Sequence, residues 1–226
     1  MSEFDKFDSD YEDILNKDVR FSGDSAKYFA DYKARFVIRT LGTGFKGSIL
    51  DYGCGVGLVI RSLKELSDNS EVHITGFDVS ERAVRRAGKE VSGVMFTSDP
   101  EKVEKSSFDV VIVANVMHHV VPEKRIVFFR TVKKLLNPDG LVFVFEHNPY
   151  NPLTQFVVKR SVLDREASLL TLEEVEKGLT RTGISVILKK YIVFFPRCLK
   201  ALRCLEPALG TVPMGAQYVC VGRKLS

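Results

Sequence analysis

The sequence predicts an α/β fold built on a mostly parallel sheet, on three observations. Short apolar, β-branched runs at Ser48–Tyr52, Val72–Phe77, Val94–Thr97, Phe108–Ala114 and Leu141–Phe145 read as buried parallel strands. Stretches with helical periodicity lie between them. The strand–helix connections are short, as a sheet covered by helices on both faces requires. Residues 1–226 are expected to form one domain.

Each element has a local reason. Ahead of the sheet, residues 1–40 are expected to form a helical cap, because Tyr28, Phe29, Tyr32 and Phe36 recur at helical spacing. Such a stripe is more often core packing than a cofactor lid. After Gly57, Val59, Leu63 and Leu66 share one face. Ser80 is placed to cap a helix with Ala83, Val84, Ala87 and Val91 on one side. Pro122 sits where a helix would start, with Ile126, Phe129, Val132 and Leu136 following. Asn137-Pro138-Asp139-Gly140 is a turn that stops it. Thr171-Leu172-Glu173-Glu174 is a capping box, opening a helix that Gly183 should close. Ile184–Phe195 and Gln217–Arg223 read as two more strands, antiparallel to each other.

Two segments, 150–170 and 196–214, break the alternation after strand ends and are expected to border a substrate pocket. Lys159, Arg160, Arg165, Lys200 and Arg203 in these segments are candidates to receive an anionic group. The amphipathic stretch Arg197–Leu209 also suits contact with a membrane surface.

Composition excludes several classes. Of 226 residues, 45% are hydrophobic and 27% charged, so a sizeable core is available and the chain is not disordered as a whole. The net charge of +4 is no signature of nucleic-acid binding. It is unevenly spread: residues 1–20 carry seven acids and three bases, residues 151–226 six acids and twelve bases. No apolar run approaches the ~20 residues that span a bilayer. The acidic N-terminus has no secretory signal. Cys54, Cys198, Cys204 and Cys220 show no CxxC spacing, so neither a cysteine zinc site nor a disulfide framework is expected, and a cytoplasmic home fits.

The most informative stretch is Ile49-Leu50-Asp51-Tyr52-Gly53-Cys54-Gly55-Val56-Gly57, a strand running into a glycine loop and then a helix. Glycines permit close backbone approach to a ligand and φ > 0, and free N–H groups at a helix start favour anions. Counted from Gly53, the third glycine of a dinucleotide fingerprint falls at Leu58; the glycine comes one residue early. Asp78, at the end of the second strand, can accept both hydroxyls of a ribose. Asp99, at the end of the third, can accept from an adenine amino group. Their structural readings are a helix-dipole charge and an Asp-Pro turn.

These residues together resemble the class I S-adenosylmethionine-dependent methyltransferases. Asp51-x-Gly53-x-Gly55-x-Gly57 matches that family's glycine motif, Phe77-Asp78-Val79-Ser80 its ribose-binding strand end, and Ser98-Asp99 its adenine position. Phe108–Asn115 matches its fourth strand, and Leu135–Leu141 resembles the segment entering its fifth. The resemblance implies a Rossmann-like sheet of seven strands, the last antiparallel, with helices on both sides. It also implies S-adenosylmethionine as cofactor, held by Asp51, Gly53, Cys54, Gly55, Gly57, Asp78, Val79, Ser98, Asp99 and Asn115.

Members that methylate amino groups of nucleobases or glutamine often carry Asn/Asp-Pro-Pro-aromatic after the fourth strand. Asn115-Val116-Met117-His118 stands there in this chain, which disfavours that chemistry. The Val116–Val120 stretch and Glu146-His147-Asn148-Pro149-Tyr150-Asn151-Pro152 are instead similar to small-molecule methyltransferases. A hydroxyl acceptor is expected, reached by direct displacement at the methyl without a metal. Positioning can contribute about 7–11 kcal/mol to such a step, and a base removing the proton 10²–10⁴-fold. His118, His147 and Glu146 are the candidates for that role. The competing readings are an NAD(P)-dependent oxidoreductase and a non-catalytic S-adenosylmethionine-binding protein.

Overall fold

A computed structural model describes residues 16–17, 22–42, 44–66, 70–105, 107–164 and 166–225. Most of residues 1–21, and Arg165, lie outside the described residues. Every apolar run read as a strand is one: β1 (Gly47–Tyr52), β2 (Val72–Phe77), β3 (Met95–Thr97), β4 (Phe108–Ala114), β5 (Leu136–His147), β6 (Ile184–Ile192) and β7 (Gln217–Lys224). They form one sheet in the order β3-β2-β1-β4-β5-β7-β6. β1 to β5 pair in parallel, while β7 runs antiparallel to both β5 and β6.

The helices are α1 (Ala26–Leu41), α2 (Leu58–Leu66), α3 (Glu81–Glu90), α4 (Pro100–Glu104), α5 (Arg125–Leu135), α6 (Pro152–Arg160), α7 (Leu172–Arg181) and the short α8 (Glu206–Leu209). Side chains alternate across each strand, which sends successive residues to opposite faces. On one face Val111, Val113, Val142 and Val144 meet Phe129 and Val132 of α5 and Val175 and Leu179 of α7. On the other, Val110, Ile112, Phe143 and Phe145 meet Ala34 and Val37 of α1 and Leu63 of α2. Tyr28, Phe29, Tyr32 and Phe36 are half-buried against this second face. Most of the aromatic stripe is thus core packing, as its spacing favoured, while Phe29 also lines a cavity at the sheet's edge.

The caps form as read. Ser80 accepts from the Ala83 N–H, and Thr171 and Glu174 complete their reciprocal box. Three boundaries differ from expectation. Pro122 opens a 3₁₀ turn (Pro122–Lys124), and α5 begins only at Arg125. The Asn137–Gly140 turn stops α5 but is itself absorbed into β5 as a bulge. Pairing jumps there from Phe108↔Leu136 to Val110↔Leu141, and Asp139 takes φ 62°. β6 ends at Ile192, because Val193 sits at φ 59°, a strained conformation for a β-branched residue.

Candidate active site

The parallel strands deliver their carboxyl ends to one edge of the sheet, where such folds place ligands. Two cavities open there and share Gly53, Gly55, Val56, Asn115 and His119.

The larger, about 340 Å³, is walled by Tyr52, Phe77, Val116, Val120 and Phe128, with Asp78 and Val79 at its rim. Tyr52 packs on Phe77 and Phe128 with ring centroids 4.8 and 5.3 Å apart. Val79 is 64% exposed, an apolar residue left open at the cavity mouth. Asp78 holds the glycine loop as well as facing the cavity: Oδ2 accepts from Gly55 N–H at 2.8 Å and Oδ1 from Ser80 N–H at 2.8 Å. Gly53 sits at φ 91°, and a Cβ there would fall 2.3 Å from Val116 Cγ2. Gly57, at φ 79°, lies against Ala87 and Phe96. The early third glycine therefore serves loop conformation and close packing of the glycine loop on α3 and β3.

The second cavity, about 180 Å³, is the more polar of the two. Asp51 and Lys33 line it, 1% and 4% exposed. Burial and the nearby Asp78 carboxylate push Asp51 up to about 7, with Lys33 opposing. Burial pulls Lys33 down to about 8, against Glu146 and Asp51. Asp51 Oδ1 and Asn115 Oδ1 are buried and accept no hydrogen bond from a described residue. Asn115 adopts φ 59° at the end of β4, a conformation asparagine tolerates better than most residues.

Beyond Asn115 the cavity wall carries three histidines and Asp164, with Glu146 behind them. His118 is 2% exposed and held from both sides. Nδ1 meets Glu146 Oε2 at 2.5 Å, and Nε2 faces Asp164 Oδ1 at 3.3 Å. Glu146 Oε1 accepts from Met117 N–H at 2.6 Å, so both carboxylate oxygens are engaged. Burial works against charge on His118, but Glu146 and Asp164 outweigh it and push the ring up to about 10. Burial would raise Glu146, but the His118 charge holds it below its usual range. His119 Nε2 lies 3.5 Å from Asp164 Oδ1, and the His147 ring centroid lies 5.2 Å from that of His118. Burial and the His118 charge push both His119 and His147 down to about 4.

The expected site residues thus separate. Asp51, Gly53, Cys54, Gly55, Asp78, Val79 and Asn115 line one cavity or both. Ser98 and Asp99 line neither. Asp99 is exposed and accepts from Glu101 N–H as the cap of α4, so its Asp-Pro turn reading describes its place. His118 and His147 line the polar cavity, with Glu146 behind them, but His118 sits between two carboxylates rather than as a free base.

The 196–214 segment lines neither cavity. Its Arg203 binds Asp24 and lies 4.2 Å over the Tyr28 ring, and Glu206 accepts from Phe194 and Phe195 N–H. Lys159, Arg160 and Lys200 line neither cavity, and among the described residues Lys33 is the lysine or arginine that does. It interrupts the stripe of Ala26, Ala30, Ala34 and Val37 on α1. A lysine on the buried face of a helix was the signal available for it. Asp164 was reachable only through its segment, since folding alone carries it 46 residues back to His118.

S-adenosylmethionine joins an adenosine to a zwitterionic amino acid with a sulfonium between them. The apolar aromatic cavity beside Asp78 suits the nucleoside. The unpartnered acceptors on Asp51 and Asn115 suit an ammonium, and Lys33 a carboxylate.

Comparison with known proteins agrees. Residues 50–142 match the sequence model of a methyltransferase domain. The ubiquinone biosynthesis O-methyltransferase of Caulobacter vibrioides is 32% identical over 109 residues, 44% of this chain and 41% of that protein. This chain spans less than half the length of the curated relatives it matches. A methyltransferase structure from Archaeoglobus fulgidus superposes with TM-score 0.68 at 14% identity, covering 88% of this chain and 95% of that one. One from Thermotoga maritima does so with TM-score 0.68 at 19% identity, covering 98% and 97%. At such identities the structures establish the fold. Residues 50–142 thus match a methyltransferase domain, and the sheet has the fold of the solved S-adenosylmethionine-dependent methyltransferases. S-adenosylmethionine is the cofactor named for those solved structures.

Proposed function

We propose that this chain transfers the methyl group of S-adenosylmethionine to an oxygen of a small-molecule acceptor. The observation that carries this reading is the juxtaposition of the donor-shaped cavities with the His118–His119–His147–Asp164 cluster at their shared end. The bound donor supplies an electrophilic methyl on a neutral leaving group. The protein's work is alignment, desolvation and handling of the acceptor's proton. Asp78 and the glycine loop fix the nucleoside half, and Asp51, Asn115 and Lys33 the amino-acid half. Glu146 and His118 position the cluster, since their polar atoms are engaged within it. The His147 ring makes no hydrogen bond among the described residues and is the ring that meets the acceptor's hydroxyl.

The acceptor is small because the polar cavity is. An oxygen acceptor is favoured by the absence of a Pro-Pro-aromatic motif after Asn115, and the O-methyltransferase relative supports it. No helix among the described residues is long and apolar enough to cross a membrane, which agrees with an acceptor taken from water.

The test is a screen with donor labelled in its methyl group against hydroxylated aromatic and sugar acceptors and their amino counterparts. Label should enter hydroxylated acceptors. The His147→Ala variant should lose turnover with donor affinity nearly intact. Transfer confined to amines, or full activity in that variant, overturns the oxygen assignment or the role of His147 respectively.

A further inference from the structure

We infer that His118, His147 and Asp164 form a binding site for a divalent transition cation at the acceptor end of the polar cavity. One ligand atom from each lies within 4.8 Å of the others. Two imidazoles and one carboxylate are the donor set that borderline cations such as Zn²⁺ and Fe²⁺ take, leaving coordination positions open. His118 Nε2 and Asp164 Oδ1 are 3.3 Å apart. At ~2.1 Å from each atom, an ion sees that pair at an angle of roughly 100°, near the tetrahedral value. A pair at the 4.8 Å limit must draw in by about 1.5 Å to do the same.

The surroundings are built for the purpose. A ligating histidine usually gives its other ring nitrogen to a carboxylate, which fixes the ring and its tautomer. His118 does so, through Nδ1 to Glu146 Oε2 at 2.5 Å, and Glu146 is itself anchored on Met117 N–H. Nε2 is thereby aimed at the cavity. His119, with Nε2 3.5 Å from Asp164 Oδ1, stands beside the same ion position. No cysteine lines this end, and two imidazoles suit Zn²⁺, Fe²⁺ or Co²⁺ better than Mg²⁺. The three ligands come from separate segments, after β4, at the end of β5 and after α6, so only the folded chain assembles them.

Cation binding is independent of methyl transfer. That the open positions take the acceptor's oxygen rests on the reading given above; His147 then meets the acceptor through the ion.

The experiment titrates Zn²⁺ calorimetrically into the full chain carrying Cys198→Ser and Cys204→Ser, which removes its two exposed thiols. One Zn²⁺ per chain should bind. His147→Gln and Asp164→Asn should each weaken it by at least tenfold, Glu146→Gln by ~10–100-fold, and His73→Ala, at an exposed surface histidine, not at all. Circular dichroism checks that each variant is folded. Should one not fold, Co²⁺ added to the parent chain should give ligand-field absorption bands of a nitrogen–oxygen site. No Zn²⁺ binding, or binding indifferent to His147→Gln and Asp164→Asn, overturns the inference. S-adenosylhomocysteine titrated into the same samples separates the two readings. Its binding without Zn²⁺ removes the cation site alone, and Zn²⁺ binding without it leaves the cation site standing.

Discussion

Asp51 stands almost fully buried at the end of β1 with Oδ1 unpartnered, and burial together with Asp78 lifts its carboxyl to about 7. The groups facing it are Asp78 after β2, Lys33 on α1 and the Cys54 thiol. A cationic donor is drawn by the ionised form. Donor affinity should therefore fall as pH drops below about 7, and fall again above about 8, where Lys33 gives up the proton that draws the donor's carboxylate. Asp51→Asn should bind more weakly and lose the fall on the acid side. Calorimetry of S-adenosylhomocysteine across this range checks it, and a flat wild-type profile contradicts it. The same shift has a stability consequence. The folded chain holds the Asp51 proton more tightly than the unfolded chain. This group's contribution therefore declines as pH rises from about 4 to about 7 in the free protein.

Asp78→Ala should weaken donor binding by about 1–3 kcal/mol. It should also lower the melting temperature, because the Gly55 and Ser80 N–H groups lose their acceptor. At this scale the sequence spoke clearly where function rides on local chain geometry, as in Asp51, the glycines and Asp78. It marked Lys33 only as a lysine within a buried stripe and Asp164 only through its segment, since their meaning comes from what tertiary packing sets beside them.

Helices α5 and α7 cover one face of the sheet at very close range. A Cβ built on Gly178 in α7 would fall 2.3 Å from Phe129 of α5. Gly178→Ala should therefore destabilise the fold by about 1–3 kcal/mol, although alanine is the better helix former. Thr171→Ala, which removes the capping box at the start of α7, should cost about 0.5–2 kcal/mol. Chemical denaturation measures both, and a stabilised Gly178→Ala would show that α5 and α7 can part freely. Ser80 and the Thr171 box were legible because a cap is a matter of three or four consecutive residues. The start of α5 and the Asn137–Gly140 bulge were not. Pro122 suits a 3₁₀ turn as well as a first helical turn, and only pairing with β4 draws the 137–140 turn into the sheet.

The sheet order separates this chain from the dinucleotide-binding alternative. A Rossmann dinucleotide fold runs 3-2-1-4-5-6. Here the antiparallel β7 is inserted between β5 and β6. The apolar runs made the parallel half of that sheet readable, because strands buried on both faces leave a continuous hydrophobic record. The basic excess of residues 151–226 proved a weaker guide. Among the described residues Arg203 turns to Asp24 and to Tyr28 of α1, while the lysine that reaches the cavity belongs to α1 itself.

The most direct measurement of the account is a titration of S-adenosylhomocysteine, and separately of NAD⁺, into the wild-type chain and Asp78→Ala. One molecule of S-adenosylhomocysteine should bind per chain, with affinity cut by about 5–150-fold in the variant and no binding of NAD⁺. Binding of NAD⁺ instead, or S-adenosylhomocysteine binding untouched by a folded Asp78→Ala, would contradict it.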